Sequence, residues 1–228
     1  MLNYEIDPNI LRPLVPKGTE LDEWQGHTFV SIVGFQFLNT RVLSLPIPFH
    51  INFEEVNLRF YVRYQGPEGW RRGVVFIKEL VPRWAIATVA RLVYNENYQA
   101  LPMHHAIKTE TADGQATIHV AYGWQLGGRW QGMHIQATGS PRPLIPGSEE
   151  EFITEHYWGY TTQRDGGTAE YQVEHPSWQV WRVNDVKLDC DVAQLYGEQY
   201  VKALRADPTS AFLADGSPII VRQGQRIA

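Results

Sequence analysis

The chain has 228 residues, 43% of them hydrophobic and 20% charged, which is ordinary for a soluble globular protein and long enough to bury a core without staples. A formal net charge of -5 and a pI near 5.9 argue against a nucleic-acid partner, because phosphate binding needs a positive field. One cysteine, Cys190, excludes an internal disulfide and a cysteine metal site, and its neighbours Asp189 and Asp191 disfavour a thiolate.

Residues 1–10 carry neither the basic segment nor the apolar stretch of a signal peptide, and no apolar run approaches the ~20 residues of a membrane span. The expectation is a single cytoplasmic domain over residues 1–228, with no membrane and no nucleic-acid partner.

In chain order, a turn-rich lead-in over 13–22 precedes a strand around 27–37, and a proline-broken link over 45–50 leads to the stretch FEEVNLRFYVR (53–63). Val56, Leu58, Phe60 and Val62 alternate there, as one buried face of a strand requires. The intervening Glu55, Asn57, Arg59, Tyr61 and Arg63 are polar or amphipathic: either a solvated face or the lining of a site. Gly66-Pro67-Glu68-Gly69 should turn the chain into a hairpin partner over 73–79. A helix is expected after Pro82, carried by Ile86, Val89, Ala90, Val93 and Tyr94.

A strand near 103–110 and a hairpin over 115–139 follow, with Gly127-Gly128 at the turn. That register places Ile118, Val120, Tyr122 and Trp124 on one face with Met133, Ile135 and Ala137. The other face carries Thr117, His119, Gln125, Trp130, His134 and Gln136. Another hairpin turns at Asp165-Gly166-Gly167; a helix over 191–204 and a strand over 217–227 close the chain. Many antiparallel hairpins with two modest helices imply a mainly β fold, a curved sheet or barrel.

Glu54 and Glu55 are adjacent on a strand, so they point to opposite faces and form no carboxylate dyad. The Glu55 face could bind an anionic ligand, with Arg59 as the carboxylate fork and Glu55 as acid or base. His119 and His134 share a face but lack a third ligand, so no metal is expected. The phosphate-loop, dinucleotide, GxSxG and HExxH motifs are absent, and no cofactor is expected.

VPKGTELD (15–22), FEEVNLRFYVR (53–63), GVVFIKELVPR (73–83), ARLVYNENY (90–98) and EHPSW (174–178) resemble the YqjF-like family of bacterial proteins, the domain of unknown function 2071. The resemblance covers nearly the whole chain. That family looks like a distant branch of the acetoacetate-decarboxylase-like fold, which implies an antiparallel β-barrel or cone with a ligand cavity and flanking helices. It places Glu55 at the acidic position of the decarboxylase's cavity strand and Arg91 at its helix arginine. Tyr98 and Gln99 fall where the decarboxylase has its lysine pair, and its anion-binding arginine, which precedes the VP segment, has no counterpart in this chain.

A tyrosine cannot form an imine with a ketone, and of the five lysines only Lys78 lies near the cavity strands, at a position that does not match the nucleophile. The fold is therefore expected to be inherited and the Schiff-base reaction not.

The expected ligand-binding residues are Glu55, Asn57, Arg59, Tyr61, Arg91, Tyr98 and His119, with Glu55 and Tyr98 the catalytic candidates. Two functions stay open: binding of a small carbonyl or carboxylate compound, or acid–base chemistry on an enolisable carbonyl without a covalent lysine. A third is an interaction module whose rings pack against a partner, and a homo-oligomer is compatible with all three.

Overall fold

The computed structural model describes residues 1–39, 41–42, 45–46, 52–82, 97–112 and 114–228. The helix expected after Pro82, and Arg91 with it, lie outside the described residues.

The strands are β1 (Leu2–Glu5), β2 (Thr19–Leu21), β3 (Phe29–Phe37), β4 (Arg41–Val42), β5 (Leu45–Pro46), β6 (Phe53–Gly66), β7 (Gly69–Val81), β8 (Tyr98–Ala100), β9 (Met103–Ala112), β10 (Gln115–Leu126), β11 (Arg129–Thr138), β12 (Trp158–Thr162), β13 (Thr168–Glu174), β14 (Val180–Asp189), β15 (Ser210–Ala214), β16 (Ile220–Val221) and β17 (Gln225–Arg226). The short helices are α1 (Pro8–Leu11), α2 (Glu149–Thr154), α3 (Val192–Leu195) and α4 (Val201–Leu204).

One hydrogen-bonded path runs β16-β13-β12-β7-β6-β3-β1-β15-β14-β11-β10-β9. It is antiparallel except where β7 meets β12 and β8. The sheet curls over itself as a cone, and among the described residues no ladder joins the two ends of the path. β6 sits in its middle and β9 at one end.

The two central hairpins form where the turn chemistry places them. Gly127 and Gly128 take φ of 57° and 80°, the paired positive values of a two-residue hairpin turn. Ile118 then opposes Ala137, Val120 opposes Ile135 and Tyr122 opposes Met133, as the spacing requires. β6 pairs with β7 from Gly66↔Gly69 to Val56↔Leu80, with a bulge between Leu58 and Arg59.

Val56, Leu58, Phe60 and Val62 are fully buried. They pack in one cluster with Val30 and Ile32 of β3, Val120, Tyr122 and Trp124 of β10, and Met133 and Ile135 of β11. Burying side chains of this size is worth ~1.5–3 kcal/mol each. The two layers come close at Gly34, where an added Cβ would lie 2.6 Å from the Tyr122 ring, so this position admits no side chain without movement.

The second face of β6 supports another layer. Phe29, Tyr61, Val74, Phe152, Ile153, Val180 and Phe212 cluster beneath α2. Ser148 caps α2 by accepting from the Glu151 amide, the Glu151 carboxylate accepts from the Gly147 amide, and three glutamates in its first turn complement the helix dipole.

Two expectations are corrected. Residues 191–204 are not one helix: Gly197, at φ 111°, ends the first turn by donating to the Val192 and Ala193 carbonyls, and the chain restarts as a 3-10 turn and α4. The strand expected over 217–227 is two short pairings, β16 and β17, both against β13. The sequence reading did not single out β1, β14, β15 or α2. Of the described helices, none is long and apolar enough to cross a membrane.

Candidate functional site

The polar side of β6 is not a solvated face. Glu55, Asn57 and Tyr61 are 2%, 1% and 1% exposed, although none is apolar by sequence. Strand pairing explains this: β3 flanks β6 on one side and β7 on the other, and Phe35, Val33 and Ser31 stand opposite Glu55, Asn57 and Arg59.

The chemistry concentrates at the N-terminal end of this face. Asn57 donates from Nδ2 to Glu55 Oε1 at 3.0 Å, and the Tyr98 hydroxyl on β8 donates to Glu55 Oε2 at 3.2 Å. Register brings in a second carboxylate, because Glu79 of β7 stands opposite Asn57 on one side and Tyr98 on the other. Glu79 is 1% exposed. Two buried carboxylates, an amide and a phenol thus share one surface, walled by Phe53, Val81, Phe37 and Ala100.

Two polar atoms on this strand are buried without a hydrogen-bond partner: Asn57 Oδ1, an acceptor, and Arg59 Nε, a donor. Such atoms cost ~1–3 kcal/mol each when left unsatisfied, so they are rare in a stable interior and mark places where a polar guest gains binding energy.

The remaining expected residues divide. Arg59 lies over the Tyr61 ring with its guanidinium carbon 5.7 Å from the centroid. The Tyr61 hydroxyl is spent on Ser31 Oγ at 2.5 Å, and Ser31 donates on to Asn3 Oδ1 at 2.7 Å. Tyr61 therefore belongs to the packed layer under α2 more than to the Glu55 group.

His119 is not brought to Glu55. It lies on the opposite side of β10 from Val120 and Tyr122, stacked on His134 with ring centroids 5.9 Å apart. Among the described residues no three of His, Cys, Asp and Glu gather as a metal-ligand set.

Lys78 faces away from Glu79, as neighbours on a strand must, and opposes Leu58. Its Nζ donates to the Leu195 carbonyl at 2.5 Å, at the C-terminal end of α3, and burial lowers its pKa. This amine is engaged on a helix end on the other side of the sheet from Glu55. The Cys190 thiol is pushed up to about 12 by burial and by Asp191 and Asp189, which leaves it protonated and unreactive.

The sequence reading missed Glu79, because the turn at Gly66–Gly69 alone would set Lys78 opposite Asn57; the bulge between Leu58 and Arg59 shifts the register by one residue and brings Glu79 there instead. It also missed His156, which is 7% exposed and packs on Tyr61 with ring centroids 4.6 Å apart. His156 Nε2 lies 3.4 Å from Asp22 Oδ2, and Arg72 Nε donates to that same oxygen at 2.6 Å. Nothing in the HYW context of His156 announces this cluster. The EHPSW segment builds a ring stack instead: His175 lies between Tyr157 and Trp178, at 4.6 and 4.2 Å, and Trp178 Nε1 donates to Ser217 Oγ at 2.8 Å.

This architecture is that of the acetoacetate-decarboxylase-like fold. The enduracididine biosynthesis enzyme MppR, solved in complex with pyruvate, superposes with a TM-score of 0.63 at 13% identity, covering 99% of this chain and 86% of that one. The acetoacetate decarboxylase from Legionella pneumophila gives 0.56 at 14% identity, covering 100% and 83%. The chain itself belongs to the DUF2071 family of uncharacterized conserved proteins, which matches over residues 1–218. It is 26% identical over 215 residues to the uncharacterized protein YqjF of Bacillus subtilis, covering 90% of this chain and 80% of that protein.

Proposed function

We propose that the protein binds a small carbonyl or carboxylate compound at the Glu55–Asn57–Arg59–Tyr98 surface, without forming a covalent bond to it. The observation that carries this reading is that two polar atoms on β6 are buried and unsatisfied: Oδ1 of Asn57, whose amide donates to Glu55, and Nε of Arg59, two residues further along the strand. An oxygen of the ligand would accept from Arg59 Nε, and a hydroxyl or enol of the ligand would donate to Asn57 Oδ1. MppR binds pyruvate on the same fold, which supports a 2-oxo acid as the first compound to try. Two things speak against an imine: the family resemblance aligns Tyr98 with the lysine position, and Lys78 is committed to the Leu195 carbonyl on the opposite side of β7. We place the protein in the cytoplasm on the same footing.

The test is titration with pyruvate and with acetoacetate, followed by ligand-observed NMR, on the wild type and on Glu55→Gln and Arg59→Ala. Binding that both variants weaken at least about tenfold, with no mass adduct after borohydride, is the expected result. Indifference of binding to both variants, or a borohydride-stable adduct on Lys78, would overturn it.

The contact between the Tyr98 hydroxyl and Glu55 also favours a second reading, proton transfer on an enolisable carbonyl. A phenol can hydrogen-bond the carbonyl oxygen while a carboxylate removes the α proton. Exchange of the α protons of pyruvate into deuterated water, faster than buffer and lost in Glu55→Gln and Tyr98→Phe, would establish it; exchange at the buffer rate would exclude it for that substrate.

A further inference from the structure

β9 ends the hydrogen-bonded path and pairs, among the described residues, with β10 alone. Its residues 104–112 are all exposed, and Ile107 is 50% exposed at the middle of the strand. Long, uncovered edges of this kind are templates for another strand, and proteins ordinarily shorten, bend or cover them.

The direction of its backbone groups can be read from the ladder. The Gln125 amide donates to the Pro102 carbonyl at 2.9 Å, and the register from there is unbroken to Gln115↔Ala112. In an antiparallel ladder, bonded and non-bonded pairs alternate, so even-numbered residues of β9 point their N–H and C=O at β10. Ile107, Thr109 and Thr111 therefore point theirs outward.

We infer that β9 is a self-pairing edge: two copies of this chain join antiparallel through β9 about a two-fold axis at Thr109. In that register Thr109 meets itself and Ile107 meets Thr111 of the second copy, each through outward-facing groups. About six backbone hydrogen bonds form. Lys108 stands directly opposite Glu110 of the second copy, and by symmetry this pair occurs twice. An isolated lysine on an edge strand discourages pairing; here the glutamate two residues on supplies its counter-charge. Ile107 loses its exposure against Thr111.

Neighbouring registers are worse. An axis at Lys108 sets two ammonium groups face to face. An axis at Ile107 draws the second copy toward Met103–His105, where β6 already lies. His105 Nδ1 there reaches Glu54 Oε2 at 3.4 Å, beside a cavity of about 300 Å³ bounded by Glu54, Pro82, Pro102 and Met103.

Sedimentation of the full chain from about 1 to about 200 µM tests this, a range that spans weak strand-mediated association. Thr109→Pro deletes an outward N–H and no bond to β10. Lys108→Glu and Glu110→Lys each set like charges across the axis, and the double swap restores opposite charges. The expected result is a wild-type dimer, weakened at least about tenfold by Thr109→Pro and by each single swap, and recovered by the double swap. A chain monomeric throughout the range would overturn the inference, as would a dimer indifferent to these changes or one the double swap fails to restore. If Thr109→Pro does not fold, as judged by its melting curve, the charge-swap cycle decides alone.

Discussion

β6 and β9 are both long strands of mixed polar and apolar residues, yet one is buried on both faces and the other on neither. β6 lies between β3 and β7, with the β10–β11 layer over one side and α2 over the other, and even its glutamates and asparagine are shielded. Among the described residues β9 pairs with one strand alone, and nine of its ten residues are exposed. Position along the sheet, more than residue type, decides how much water a strand meets. A buried polar residue in β6 must be satisfied or used, whereas a polar residue in β9 costs nothing until a second strand arrives.

The largest effect should come from emptying the centre. Phe60→Ala is expected to cost ~3–5 kcal/mol in chemical denaturation, because Phe60 is fully buried between two layers that cannot collapse fully around the loss. A cost below ~1 kcal/mol would mean the layers are not packed as described.

Acid should reach β6 through His156. Burial is the main cause that lowers its pKa from 6.5 to about 4, with Arg72 and Arg59 adding to it against the pull of Asp22. The unfolded chain therefore binds a proton between pH 6.5 and 4 that the folded chain refuses. The stability contribution is full above pH 6.5 and is lost as pH falls toward 4, by up to ~3 kcal/mol. Denaturation midpoints measured from pH 7 to 4.5 should fall, and His156→Phe should flatten that slope. An unchanged slope in the variant would assign the acid sensitivity elsewhere.

Lys78→Met should cost about 1 kcal/mol, the worth of one hydrogen bond to the Leu195 carbonyl, and leave any binding at the Glu55 surface unchanged. Loss of ligand binding in this variant, with the fold intact, would bring Lys78 back as a functional amine. The smallest effect belongs to β9. Ile107→Thr should change the stability of the isolated monomer, measured at low concentration, by no more than ~0.5 kcal/mol. A larger loss would show that the edge is covered within one chain.

Much of the scaffold was legible beforehand. The alternation of Val56, Leu58, Phe60 and Val62, the turn at Gly127-Gly128 and the resulting register of Ile118 against Ala137 follow from period-two patterning and positive φ, both local properties. The 191–204 helix was overcalled because a local pattern does not reveal that Gly197 ends the first turn. The final strand was overcalled because its apolar run, Ile219, Ile220 and Val221, is exposed and only two residues of it pair. Of the candidate site, Glu55, Asn57 and Tyr98 come together, whereas His119 belongs to another face. A shared hairpin pattern cannot say which layers face one another.

The sequence by itself determined the central hairpins, their turns and which side of their strands is apolar, because those depend on neighbours a few residues away. Only the tertiary structure decided that the polar side of β6 is buried around Glu55 and Asn57, that Tyr98 reaches Glu55 and Glu79 stands opposite Asn57, that Lys78 is turned to α3, and that His156 sits against Tyr61. Those outcomes depend on which distant strands become neighbours in a curled sheet. That is settled by the sum of many long-range packing contacts, and no single stretch of sequence carries it.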